Sequence, residues 1–317
     1  MAQSKTPAYG GQAVIEGVMF GGKNTYVTAI RRKDDSIEYF EVKRKPRPSL
    51  NKLKKIPFLR GVVALIEASG NGTKHLNFSS DRYDVDPKDD EKVLAEKDKE
   101  GSKLALILGA ATIGVLTFLF GKFIFTIIPA IAANFMLPIF PGRIEQNLIE
   151  GLIKLILLLG YIYFISMTPL IKRVFQYHGA EHKVINAYEN GYPLTVENVQ
   201  KQSRLHYRCG SSFILFTVIV GVFVYMFVPY DPLWQRLVYR IFLIPVVLGI
   251  SFEVLQVTNK MRNIPVLRFL GYPGLWLQLL TTKEPTNKQV EVSILSFQEM
   301  LKRDEQYELE KQQPKII

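Results

Sequence analysis

The chain has 317 residues, 48% of them hydrophobic, with 40 Lys and Arg against 29 Asp and Glu and a formal charge of +11. Hydropathy is too uneven for an ordinary basic soluble protein: residues 104–142 contain one acid or base, Lys122, which reads as a stretch solvated by lipid. A single cysteine, Cys209, excludes an internal disulfide and fits a reducing compartment, and a charged N-terminal region with no early apolar run gives no sign of a cleavable signal.

In chain order, the glycine-dense Gly10–Gly17 stretch lacks the Lys and Ser/Thr of a phosphate-binding loop and reads as tight β-turns. Its Glu16 is an acid in an apolar segment that can face a cytoplasmic site. Strands are expected over residues 27–32 and 37–42, joined by Asp34-Asp35-Ser36. Pro57–Ala68 is apolar but too short to cross a bilayer, and residues 79–103 form a charged linker that need not be ordered. Four runs can span about 30 Å of hydrocarbon: 104–125, 148–171, 213–228 and 237–257. Residues 1–103 hold 20 Lys and Arg and residues 172–208 hold 6, whereas 126–147 and 229–236 hold one each, placing both termini and the central loop in the cytoplasm.

Ile127–Phe140, interrupted by Pro129 and Pro138, is expected in the outer interface. Lys154 and Arg240 near outer helix ends read as snorkelling. Ile264–Leu280, split at Pro273-Gly274, reads as interfacial or re-entrant. Thr286 and Gln289 form a capping-box pattern before an amphipathic helix, with fraying expected after Asp304. The expected fold is therefore an α-helical integral membrane protein with four transmembrane helices and a cytoplasmic α+β cap. It divides into an N-terminal α+β region (1–78), the linker (79–103), a membrane domain (104–257) containing a cytoplasmic loop (172–211), and C-terminal interfacial and amphipathic helices (258–317).

Three of the four histidines and the cysteine fall within 32 residues: His178, His182, His206 and Cys209. The first two are i and i+4, sharing one face of a helix that continues the second membrane segment, with Gly179 as its weak point. The loop can bring all four together as a tetrahedral set suited to Zn2+ or another transition metal, closed and structural if all bind and catalytic if one position stays open. His178-Gly179-Ala180-Glu181-His182 also fits the H-x-x-E-H pattern in which Glu181 serves as general base. Glu253, one turn from the cytoplasmic end of the fourth helix, is an additional candidate ligand, with a buried pair to Arg262 or Arg208 as the alternative. Hydrogen bonding of the histidines to headgroups or backbone carbonyls is the non-metal alternative.

These residues also carry a resemblance. Gly10-Gly11-Gln12-Ala13-Val14-Ile15-Glu16-Gly17-Val18-Met19, Arg60-Gly61-Val62-Val63-Ala64-Leu65, His178-Gly179-Ala180-Glu181-His182-Lys183, Arg208-Cys209-Gly210 and Pro273-Gly274-Leu275-Trp276-Leu277-Gln278 occur in this order, and the chain resembles the bacterial YqhQ-like membrane proteins (domain of unknown function 1385). Phe20-Gly21-Gly22 and Tyr207 depart from that pattern without touching a proposed ligand. The resemblance implies a metal-dependent enzyme without naming a reaction. Two functions are weighed: a metal-dependent hydrolase at the cytoplasmic interface, and a non-enzymatic accessory or assembly factor that binds a protein-export channel, a membrane protease or the ribosome. The lipid bilayer is the expected partner in either case, sequence-specific nucleic-acid recognition is not expected, and homo-oligomerisation is compatible with both.

Overall fold

The computed structural model describes residues 9–44, 48–90, 120–121, 123–228 and 232–312; most of the first expected span, 104–125, lies outside them. The chain is mainly helical with one small antiparallel sheet. Four strands, β1 (Gly10–Val14), β2 (Gly17–Gly21), β3 (Thr25–Arg31) and β4 (Ile37–Lys43), follow one another as a meander in the order β1-β2-β3-β4. The glycine-dense segment is thus a full hairpin: Ile15 and Glu16 make the turn, Glu16 at φ 54°, and Gly10 pairs with Gly21. The expected β3–β4 turn is present, with Asp35 at φ 67°.

Two helices follow, α1 (Pro48–Leu53) and α2 (Leu59–Arg82). The segment expected to be a short interfacial piece is the first half of α2, and order continues into the expected linker: Ser79 is buried, and Arg32 pairs with Asp90. Next come α3 (Ile128–Phe135), α4 (Arg143–Ile165), α5 (Pro169–Glu189), α6 (Val196–Gln200), α7 (Gly210–Tyr225), α8 (Leu233–Phe242), α9 (Ile244–Lys260), α10 (Tyr272–Thr281) and α11 (Asn287–Gln312). Pro129 does not interrupt its segment: the π-helical turn Phe123–Ile127 runs directly into α3, so the helix continues through the proline.

Among the described residues one helix, α4, is long and apolar enough to cross a membrane, and the pair α8–α9 passes the same test as a unit bent by 52°. The bend has a local cause in Pro245, which sits in the first turn of α9 and cannot donate to the end of α8. At 16 residues α7 is apolar but spans only about 24 Å. The second expected run also ends early. Pro169 opens α5, and Thr168 before it is extended at ψ 138°, so the histidine-bearing helix is a separate element from α4.

Arg240 does not snorkel: it is 3% exposed and, with Arg236, contacts Glu150 of α4. Inside a helix pair two guanidiniums sharing one carboxylate recover part of the desolvation cost that neither would recover alone.

The largest core lies between the sheet, α5 and α11. Val18, Phe20, Val27 and Ala29 pack against Tyr177, Ala180 and Val184 and against Val290, Ile294 and Phe297. The capping box holds as expected, Thr286 N donating to Gln289 Oε1 at 2.8 Å and Gln289 N to Thr286 Oγ1 at 3.4 Å. Beyond Asp304, where fraying was expected, α11 runs on to Gln312. Asp304 accepts from Lys23 N and Asn24 N at the β2–β3 turn, and Tyr307 donates to Glu41. Gly179 does not break α5. A Cβ there would lie 2.2 Å from Lys283 O, so the glycine allows the α10–α11 connection to lie against the helix, where Lys283 N donates to Phe175 O at 2.8 Å.

Candidate metal centre

Helix α5 carries His178 and His182 one turn apart, their ring centroids 4.5 Å apart. Cys209 is the N-cap residue of α7 and accepts from Ser211 N at 3.4 Å, and its Sγ lies 3.0 Å from Ser211 Oγ. The positive end of the α7 dipole favours negative charge at that position. The ligand atoms of His178, His182 and Cys209 lie within 4.8 Å of one another, with His178 Nε2 3.2 Å from Cys209 Sγ. Two nitrogens and a sulfur around a tetrahedral zinc ion sit about 3.3–3.6 Å apart. The trio therefore needs only a small contraction to fit.

Both rings are held by their other nitrogen. His178 Nδ1 lies 2.8 Å from Thr281 O, and His182 Nδ1 lies 2.6 Å from Arg204 O. A carbonyl only accepts, so each Nδ1 carries the proton and each Nε2 offers a lone pair. Orientation of a ligating imidazole by a backbone carbonyl is a usual outer-shell device of metal sites. Burial pushes the His182 imidazolium down, which keeps that ring neutral and ligand-competent.

His206 stands off. Its ring is 5.8 Å from that of His182, and its buried Nε2 has no hydrogen-bond partner among the described residues. Burial depresses its pKa to about 4, with Arg262 acting in the same direction and Glu181 opposing. Gln278 on α10 grips the His206 backbone on both sides, accepting from N at 2.8 Å and donating to O at 2.8 Å. Glu181 is buried between the site and β1. Burial raises its pKa, against the pull of His178, His206 and a bond from the Gly11 backbone. A Cβ at Gly11 would come within 3.0 Å of the Glu181 Cγ and Cδ, so only glycine leaves room for this carboxyl against the sheet edge.

The two additional acids lie elsewhere. Glu253 accepts from Arg60 Nε at 2.7 Å and Phe58 N at 3.1 Å, pinning α2 to α9, and not from Arg262 or Arg208. Glu16 is bound by Arg173 at 2.5 Å and Tyr177 Oη at 3.2 Å. Each carboxylate is claimed by a nearer guanidinium. The structure thus brings His178, His182 and Cys209 together, places His206 and Glu181 beside them, and leaves Glu253 and Glu16 out. Thr281, Arg204 and Gln278 were not anticipated. The first two act through backbone carbonyls, which leave no mark in a sequence, while Gln278 lies at the end of the Pro273–Gln278 block.

Residues 56–303 match the model of the family described as "Protein of unknown function (DUF1385)". The chain belongs to that family. It is also 69% identical over 296 residues to "Uncharacterized protein YqhQ" of Bacillus subtilis (strain 168), covering 93% of each chain. No solved structure matches.

Proposed function

We propose that this chain is a multi-pass protein of the cytoplasmic membrane, with four spans and both termini in the cytoplasm, whose chemical centre is a transition-metal site, preferentially Zn2+, serving hydrolysis at the cytoplasmic interface. The observation that carries the metal reading is the convergence of His178, His182 and Cys209 within 4.8 Å, with both Nδ1 atoms tied to backbone carbonyls, which leaves the Nε2 lone pairs as the ligating ones. With two histidines and one thiolate as ligands, a fourth tetrahedral position is left for water, and zinc supplies the Lewis acidity that makes such water nucleophilic near neutral pH.

Glu181 is the residue for proton transfer. A carboxyl whose pKa is raised by burial is closer to the working range of a general base, and it lies near His178 and His206. The bond from the Gly11 backbone also fits a purely structural role at the sheet edge. Activity that survives Glu181→Gln would remove Glu181 from the mechanism.

The accessory-factor reading keeps one specific support. His206, whose buried Nε2 has no hydrogen-bond partner among the described residues, can swing in to complete a four-ligand site that would be structural. Elemental mass spectrometry of detergent-purified chains decides between the two. About one ion per chain, lost in His182→Ala and Cys209→Ser but kept in His206→Ala, is expected for the open centre. Loss in all three variants makes the site closed and favours the accessory factor, and a wild-type chain without stoichiometric metal overturns both metal readings.

A further inference from the structure

Two arginines border the metal centre without a part in the scheme above. Arg208 immediately precedes Cys209, and Arg262 follows the end of α9. Both face Glu189 at the end of α5: Arg208 Nη2 contacts Oε1, and Arg262 Nη1 lies 3.7 Å from Oε2. That same Oε2 is 3.7 Å from His206 Nε2, so the group adjoins the histidine beside the trio. One carboxylate cannot saturate two guanidinium forks. Arg262 is too far from Glu189 for a hydrogen bond, and its guanidinium makes none among the described residues. Among Arg208, Arg262 and Glu189 the guanidiniums outnumber the carboxylate two to one.

The same neighbourhood carries exposed apolar side chains. Helix α10, which holds His206 through Gln278 and His178 through the Thr281 carbonyl, presents Trp276 at 64% exposure. The segment leading into α10 presents Val266 at 76% together with exposed Phe269 and Leu270. A shelf of exposed Trp, Phe, Leu and Val next to arginines suits the boundary between acyl chains and headgroups.

We propose that Arg208 and Arg262 form an anion clamp that gives the centre its substrate class, a phosphate-bearing lipid headgroup of the cytoplasmic leaflet. Planar guanidinium forks match the oxygens of a phosphate, and through Glu189 the clamp adjoins His206 beside the trio. Glu189 then acts as an internal competitor for the same guanidiniums. Catalysis here rests on the metal-hydrolase reading, whereas anion binding does not. In the reaction a water oxygen bonds to phosphorus and the bond from phosphorus to the leaving alkoxide oxygen breaks. The proton that water gives up passes through Glu181 to that leaving oxygen.

The test is calorimetric titration of the zinc-loaded full chain in detergent with inorganic phosphate and with dihexanoyl phosphatidic acid, metal content being counted for every variant. Arg262→Gln should weaken phosphatidic acid binding at least about tenfold with the ion retained, Arg262→Lys should fall between, and Glu189→Gln should tighten it. Tighter binding of phosphatidic acid than of phosphate supports the lipid source, while equal, Arg262-dependent affinities keep the clamp and overturn the lipid source. Wild type that binds neither anion, or Arg262→Gln within about twofold of wild type, overturns the clamp. Absence of the ion from wild type refutes the metal reading separately, because the dependence of anion binding on Arg262 is read in the same titration.

Discussion

His75 is the histidine that serves the fold and not the site. It is fully buried on α2, its Nδ1 is 2.7 Å from Thr28 Oγ1, and its ring packs edge-on against Phe40. Burial, with a smaller push from Lys74, lowers its pKa from 6.5 to about 4. The folded state therefore holds the neutral ring while the unfolded chain takes up a proton below pH 6.5. Its contribution to stability is intact above that pH and is lost as pH falls towards 4. Between pH 7 and pH 5 the loss should be about 2 kcal/mol. Denaturant unfolding in detergent at the two pH values should show the pH dependence reduced by that amount in His75→Gln, and an unchanged dependence would contradict the assignment. Among the acids, Glu16 and Glu253 teach a related lesson. Both were plausible site residues by depth and position, and both are held by arginines, Arg173 and Arg60, brought near only by folding.

At the level of elements, helix boundaries follow proline closely. Pro169 separates the long apolar helix α4 from the histidine-bearing α5, and Pro245 bends the α8–α9 pair by 52°. Both prolines were visible in the sequence, yet hydropathy alone reads across them because each is immediately flanked by apolar residues, Leu170 and Ile171 after one and Ile244 and Val246 around the other. What joins α4 to α8 is polar: Glu150 is contacted by Arg236 and Arg240, and all three side chains are at most 8% exposed. Taking the shared carboxylate away leaves two like charges facing each other in an apolar setting. Glu150→Gln should therefore cost on the order of 3 kcal/mol, read as a lowered thermal midpoint in detergent. A midpoint equal to wild type would mean that the triad adds nothing to helix pairing.

For the whole molecule, α5 is the organising element, packed on the sheet and α11 along one side and turned towards Cys209 along another. The proposed topology puts the sheet and α11 on the cytoplasmic side together. A reporter fluorescent only in the cytoplasm should then be bright at the C-terminus, and a reporter active only outside should be silent there; the reverse pattern would refute the topology. The chain's local chemistry was readable from residue order: the β3–β4 turn, the capping box of α11 and the i,i+4 histidines depend on neighbours within a few residues, where covalent geometry and helix periodicity decide the outcome, whereas Cys209 is 31 residues from His178 and reaches it only through packing. The β1–β2 hairpin was missed because its glycines signal a turn and a strand edge equally well. Which histidine stands apart, which acids are taken by arginines, and which carbonyls of Thr281 and Arg204 orient the rings were decided by tertiary structure alone. Those are distances between segments far apart in sequence, and they are set by how α5, α7 and α10 pack, for which no residue pattern carries a local signature.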